Sequence, residues 1–194
     1  MLLLWLAAAP FWQEKAPAEW SDLQLAQFLN DSPWAQAAKG AGKVQGAPVQ
    51  TYLASSKFVE QAEKERNRRA ALRRKQTEEG ALAEEYRFWY EDNRAEQVIL
   101  AVRVGATVAF SEQGEIRHML EDSAMRSGNV KVKMSSYFPP SVSDPYVRMA
   151  FPRSIVQESE KVLGFDLYLP GIATPFRTAE FVVSELVVDG KADY

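Results

Sequence analysis

Apolar and polar residues alternate along three segments in the last third of the chain, residues 130–134, 147–151 and 163–169. A period of two residues predicts a β-strand with one face buried and the other in solvent. Prolines separate these segments, as in Pro139-Pro140 and Asp144-Pro145, and mark turns. We therefore predict an antiparallel meander, completed by a strand over Phe181–Val188.

Two further strands are predicted earlier in the chain. Val98–Val104 is a nearly unbroken apolar run, which is typical of a central strand covered on both faces. Residues 39–48 are rich in glycine, alanine and lysine and predict a loop, after which Val49–Ala54 forms a short strand.

The strongest helix signal begins at Trp20. Ser21 is a good N-cap, Gln24 stands three residues later as a capping box requires, and Asp22 suits the first turn. Leu25 continues the apolar stripe, and Pro33 disfavours helical backbone at the residue before it. We expect this helix to end near residues 30–31.

A long, highly charged helix is predicted from Lys57 to about Gly80, and a short one over Gln113–Glu121. On the long helix, the arc that begins with apolar residues at its start continues with Arg66, Arg69 and Arg73. The first turns can therefore pack on a core, while the later turns, if straight, run past its edge.

Together these elements predict a single α+β domain over residues 19–194. We expect a mainly antiparallel sheet of about five or six strands, covered by one long and one or two short helices.

The opening residues resemble an export signal. Met1–Ala9 reads MLLLWLAAA, an apolar run that ends in small residues and is too short to span a bilayer. We assign residues 1–18 to a signal peptide and leader, with Ala16 and Ala18 as later cleavage positions because Pro10 disfavours cutting after Ala9. The alternative is a buried N-terminal segment of a cytosolic protein.

Composition excludes several classes of protein. The 194 residues include no cysteine, which rules out disulfides, thiolate metal sites and a lipid-anchored lipoprotein. A net charge of -3 gives no general attraction to nucleic acid. We expect no cofactor, no nucleic acid partner and membrane contact only through the leader.

Candidate catalytic groups are weak. His118 is the only histidine, and its pairing with Glu115 lacks the second Glu-x-x-His pair that a di-iron site needs. Paired carboxylates could hydrolyse an envelope polymer, although solvated turns and strand faces are the better explanation of them. These acidic residues are Asp144, Asp166, Glu180, Glu185 and Asp189. No catalytic or metal-binding residue is therefore assigned.

The arginines of the long helix form the best localised electrostatic feature. Polyanions or an anionic membrane surface could bind to the basic run from Arg66 to Lys75, because guanidinium groups suit phosphate geometry. Its members are Arg66, Arg68, Arg69, Arg73, Arg74 and Lys75. Glutamates flank them, so a salt-bridged exposed helix is the alternative.

The motif Trp20-Ser21-Asp22, followed by Ser32-Pro33-Trp34, resembles the opening of a family of uncharacterised exported bacterial proteins. It is also distantly similar to the GWxTD domain, with Glu19 in place of the glycine. The resemblance implies export and an α+β body, and no activity. Trp20 and Trp34 either bracket the helix against the domain or form a docking surface for a partner.

The leading expectation is therefore a non-enzymatic exported protein, periplasmic or extracellular, that binds a protein or polymer partner. Its candidate interaction surface comprises Trp20, Trp34, Arg66, Arg69 and Arg73.

Overall fold

The computed structural model describes residues 10–42, 46–74, 84–105, 108–156, 159–188 and 190–194. Five α-helices lie in these ranges: α1 (Phe11–Glu14), α2 (Asp22–Asn30), α3 (Lys57–Arg74), α4 (Glu84–Asn93) and α5 (Gln113–Asp122). The strands are β1 (Ala35–Gly40), β2 (Val49–Leu53), β3 (Gln97–Arg103), β4 (Ala124–Ser127), β5 (Val130–Lys133), β6 (Ser136–Phe138), β7 (Tyr146–Pro152), β8 (Val162–Tyr168), β9 (Phe176–Val182), β10 (Val187–Val188) and β11 (Lys191–Ala192).

Strands β1 to β9 form one antiparallel sheet in the order β5-β4-β8-β9-β1-β2-β3-β7-β6, and it curves into a half-barrel. The bend lies in β1, whose first residues pair with β2 while Lys39 and Gly40 pair with β9. The two edge strands, β5 and β6, follow one another in the chain, and β5 also approaches β7. The inside of the curve holds the core, including the packed rings of Phe151, Phe165 and Phe181.

The predicted fold class of a five- or six-stranded sheet covered by one long helix is wrong, because nine strands form the half-barrel. The missed strands of this sheet are β1, β4 and β6. The predicted strand over Phe181–Val188 is also wrong, because β9 overlaps it at two residues only and the rest of that range forms a 3-10 turn and β10. β1 has the sequence Ala-Gln-Ala-Ala-Lys-Gly and carries no β-branched or aromatic residue. Pairing with neighbours on both sides makes it a strand, and a local pattern cannot reveal that.

Several predicted elements are confirmed. Helix α2 begins after Ser21 with the full capping box and ends at Asn30. β3 lies between β2 and β7, and the side chains from Val98 to Val102 are buried. Helix α5 covers the predicted range, and β2 matches the predicted strand to within one residue.

Other expectations need correction. Lys39 and Gly40 belong to β1 rather than to the predicted loop. Strand β7 is not half buried, because α3 and α4 cover its outer face and Arg148 is buried there. β5 is more exposed than its alternation suggests, since it is an edge strand. The long helix is described as far as Arg74, and its predicted end near Gly80 lies outside the described residues.

The predicted signal sequence, Met1–Ala9, lies outside the described residues. Residues 10–18, which the sequence assigns to the leader, pack on the domain. The ring centroid of Phe11 lies 5.2 Å from that of Trp20, and Trp12 packs on Phe28. Pro17 is buried. Within the described ranges, no helix is both long enough and apolar enough to cross a membrane.

Candidate functional site

A groove of about 850 Å³ lies between α3 and α4. On α3 it is lined by residues at helical spacing from Glu60 to Arg68, and on α4 by residues from Tyr86 to Arg94. Residues 16–18 form a third wall. A groove of this volume lies within the range that holds small molecules or a short peptide segment.

Three carboxylates of α3 lie deep in the groove wall. The side chains of Glu60, Glu63 and Glu65 are 20%, 7% and 8% exposed. Because they are deep, each needs a cationic or hydrogen-bonding partner, and the structure supplies one or more for each.

Glu63 belongs to a buried network beneath the groove. Arg148 Nη2 donates to Glu63 Oε1 at 2.9 Å and to Asp144 Oδ2 at 3.0 Å. The Tyr52 hydroxyl donates to Glu63 Oε1 at 2.5 Å, and the Arg148 guanidinium lies 4.8 Å from the ring centroid of Tyr86. These contacts join α3 to the outer face of β2 and β7.

The pKa values of the two carboxylates in this network, Glu63 and Asp144, are shifted in opposite directions. Burial alone would raise the pKa of Glu63, but the charges of Arg148 and Arg66 bring it below its usual value. Burial raises the pKa of Asp144, and Arg148 opposes that effect only in part. Glu63 is therefore held as the ionised partner of Arg148.

Glu65 is held by two arginines. Arg68 binds it through two bonds of 2.8 Å, and Arg69 Nε donates to its Oε1 at 2.5 Å. These hydrogen bonds, above all those from Arg68, lower the pKa of Glu65 to about 2. An ionised carboxylate has no proton to donate, so neither Glu63 nor Glu65 suits the role of a general acid.

Arg69 also holds the third wall of the groove in place. Its Nη2 donates to the carbonyl oxygens of Pro17, Ala18 and Trp20, the last at 2.7 Å. Its Nη1 donates to Asp22 Oδ1 at 2.7 Å. One guanidinium therefore ties residues 17–22 to α3.

The other predicted arginines are also paired. Arg66 donates to Glu63 at 3.3 Å and lies over the ring of Tyr146, with its guanidinium 5.4 Å from the centroid. Arg73 pairs with Asp22 at 2.9 Å. The three arginines thus bind carboxylates of the same chain, which favours the salt-bridged helix over a stripe that is free to bind polyanions.

Trp20 and Trp34 are each 2% exposed. Both pack against Phe28 and Phe58, and the Trp34 indole donates to the carbonyl oxygen of Asp193 at 2.6 Å. Rings this deeply buried offer almost no surface to a partner, so the packing is that of the structural alternative rather than of a docking surface.

His118 and Glu115 do not line the groove. His118 is exposed on α5, where its ring packs near Tyr168 and its Nδ1 lies 3.3 Å from Asp122 Oδ2. The Tyr168 hydroxyl donates to Glu115 at 3.1 Å. No group of metal-binding side chains occurs among the residues that the structure describes.

The carboxylates considered for hydrolysis do not come together in the groove. Asp144 is buried on Arg148, while Asp166 binds Arg126 and Lys131 on another part of the sheet. Glu180 lies 3.5 Å from Arg126, Glu185 is exposed and Asp189 lies outside the described residues. None of the four described residues lines the groove.

Sequence reasoning missed the groove because it missed α4. No element is predicted over residues 84–93, although Tyr86 and Tyr90 lie four residues apart and share one buried face. That spacing was the available signal.

Comparison with family models, with curated proteins and with solved structures found no match to this chain. The resemblance of the Trp-Ser-Asp and Ser-Pro-Trp motifs to a family of exported bacterial proteins therefore remains a prediction.

Proposed function

We propose that this protein is a non-catalytic binding module, exported to the periplasm or the extracellular space, that holds a segment of a protein partner in the groove between α3 and α4. The observation that carries the proposal is the groove itself, about 850 Å³ in volume and open between two helices. Export is motivated by the apolar opening residues. Residues 16–18 form a wall of the groove, and Phe11 and Trp12 pack on the domain. The proposal therefore requires that residues 10–18 stay in the mature protein, and it does not include cleavage after Ala16 or Ala18.

The construction of the groove supports a binding role. Its wall carboxylates are bonded to arginines, and α3 is fastened to the sheet by Arg148 and to the N-terminal segment by Arg69. Walls held in this way lose little conformational entropy when a ligand binds, which favours affinity. The low pKa values of Glu63 and Glu65 argue against an acid and base pair in this groove.

The proposal is tested with a photo-crosslinking amino acid placed at Asn67, which lines the groove. In living cells we expect one cross-linked product of defined mass. The same probe at Arg117, exposed on α5, serves as the control and gives no such product.

A second variant separates specific binding from chance contact. Gln61→Trp places a bulky ring in the groove and should abolish the product from Asn67, whereas Gln113→Trp on α5 should not. A product that persists in the Gln61→Trp variant, or none at any groove position, contradicts a binding role for the groove.

A further inference from the structure

The charged groups of the groove lie at two depths, with cations at the surface and most of the carboxylates beneath them. Four cationic residues of its lining are exposed: the side chains of Lys64, Arg68 and Arg94 are 73%, 46% and 48% exposed, and Arg87 is also at the surface. The carboxylates Glu60, Glu63 and Glu65 lie beneath them. Glu91 is the one acidic residue of the lining that is fully exposed among those described.

An approaching ligand therefore meets four exposed cations and one exposed carboxylate, that of Glu91, before it reaches Glu60, Glu63 and Glu65. Lys64 and Arg94 both pair with Glu60, and Arg68 pairs with Glu65. Ion pairs that are partly solvated are weak. Each of these cations can therefore redirect some of its N–H groups to a ligand with little loss of free energy. Within the described ranges, Arg87 forms no ion pair.

We propose that the partner segment is acidic, with carboxylate side chains that bind Lys64, Arg87 and Arg94 along the rim. This inference rests on the proposed function and names the chemistry of the partner. Electrostatic complementarity of this kind speeds association and selects among partners.

The spacing of the cations favours a peptide over a single phosphate group. Arg87 lies on α4 and Arg94 directly follows its last residue, seven residues later, which corresponds to about 10 Å along the helix axis. Separate carboxylates along a chain can bind both arginines at once without drawing their side chains together. The third wall presents apolar groups of Ala16, Pro17 and Ala18. Apolar side chains of a peptide can pack on them, whereas a polymer with only polar groups cannot use this surface.

The test uses two short labelled peptides, one of glutamate and leucine and one with lysine in place of glutamate, and measures binding by fluorescence anisotropy. We expect the acidic peptide alone to bind, and its affinity to fall as salt is raised. Arg87→Glu should weaken binding roughly ten-fold, because an attraction becomes a repulsion. Arg117→Glu on α5 makes the same change of net charge and should leave the affinity unchanged.

Equal binding of both peptides, or equal loss in the two arginine variants, overturns the inference. The inference is also overturned if inorganic polyphosphate displaces the acidic peptide and Arg87→Glu leaves that displacement unchanged. Such a result would indicate a surface that binds polyanions in general. If Asn67 cross-links a partner whose binding is insensitive to Arg87→Glu, the proposed function stands and only the acidic character of the partner is wrong.

Discussion

The two halves of the curved sheet carry the same chemical group on their outer faces with different surroundings. On β7, Arg148 binds Glu63 and Asp144, and its side chain is 2% exposed beneath α3. On β4, Arg126 binds Asp166 and Glu180 with its side chain 35% exposed. Each arginine binds two carboxylates, but only Arg148 is excluded from solvent.

This difference decides what each network contributes. Water screens the charges around Arg126 and would solvate them if the pairs broke, so that network adds little to stability. Around Arg148, breaking a pair leaves a charge in a region of low dielectric. The buried network therefore makes the position of α3, and with it the groove, depend on a few side chains.

The largest expected effect follows from removing the buried cation. Arg148→Met keeps much of the side-chain volume but leaves Glu63 and Asp144 without their shared partner, so we expect a loss of about 3–5 kcal/mol in the free energy of unfolding. Urea denaturation measures it. Adding Glu63→Gln should restore part of the loss, because it removes the charge of one of the two carboxylates that lost Arg148.

A loss below about 1 kcal/mol for Arg148→Met would contradict the proposed difference between the two networks, since it would place the buried network in the range of exposed ion pairs.

An intermediate effect is expected at Glu65, whose arginine partners are partly in solvent. Glu65→Gln should lower the free energy of unfolding at neutral pH by about 1 kcal/mol. The pKa of Glu65 is lowered from 4.5 to about 2, so its ionised form stabilises the fold above pH 4.5 and that contribution is lost as the pH falls toward 2.

Urea denaturation at a series of pH values should therefore show the difference between the parent protein and Glu65→Gln shrinking over that interval. Glu180→Gln, on the exposed network, is the matched control and should change stability at neutral pH by less than about 0.5 kcal/mol. A Glu65→Gln effect that is the same at every pH would mean that packing, and not the charge, accounts for it.

The smallest effect is expected at Arg126. Arg126→Met should cost less than about 1 kcal/mol, because its pairs are solvated. The Arg126 guanidinium also lies over Gly164, where an added Cβ would come 2.8 Å from Nη2. Gly164→Ala should be better tolerated in the Arg126→Met background than alone, which thermal denaturation of the three variants can check. The opposite order would show that backbone strain, and not the arginine, limits this position.

Local patterns predicted some elements of this protein well. The capping box of Ser21 and Gln24 involves residues three positions apart, and the apolar run of β3 is contained in seven residues. Such signals are complete within one segment, so they can be read without knowing the fold. The ion pair of Glu65 with Arg69 belongs to the same group, since helical spacing alone brings the two together.

The candidate site depended on contacts between distant segments. Glu63 and Arg148 are 85 residues apart, and their pairing places a charged residue inside a region that alternation assigned to solvent. The burial of Trp34 likewise depends on Asp193, at a separation of 159 residues. A pattern of polar and apolar residues records the average environment of a position and not its partner, so it could not reveal a buried arginine with two carboxylates.

The amino-acid sequence indicated where about half of the helices and strands begin, because capping, helical spacing and the two-residue period act within a few residues of the chain. Tertiary structure alone decided that nine strands join in one curved sheet, that residues 16–18 wall a groove, and that Arg148 is buried while Arg126 is not. The physical reason is that strand pairing and burial are interactions between segments, and their free energy depends on which surfaces meet.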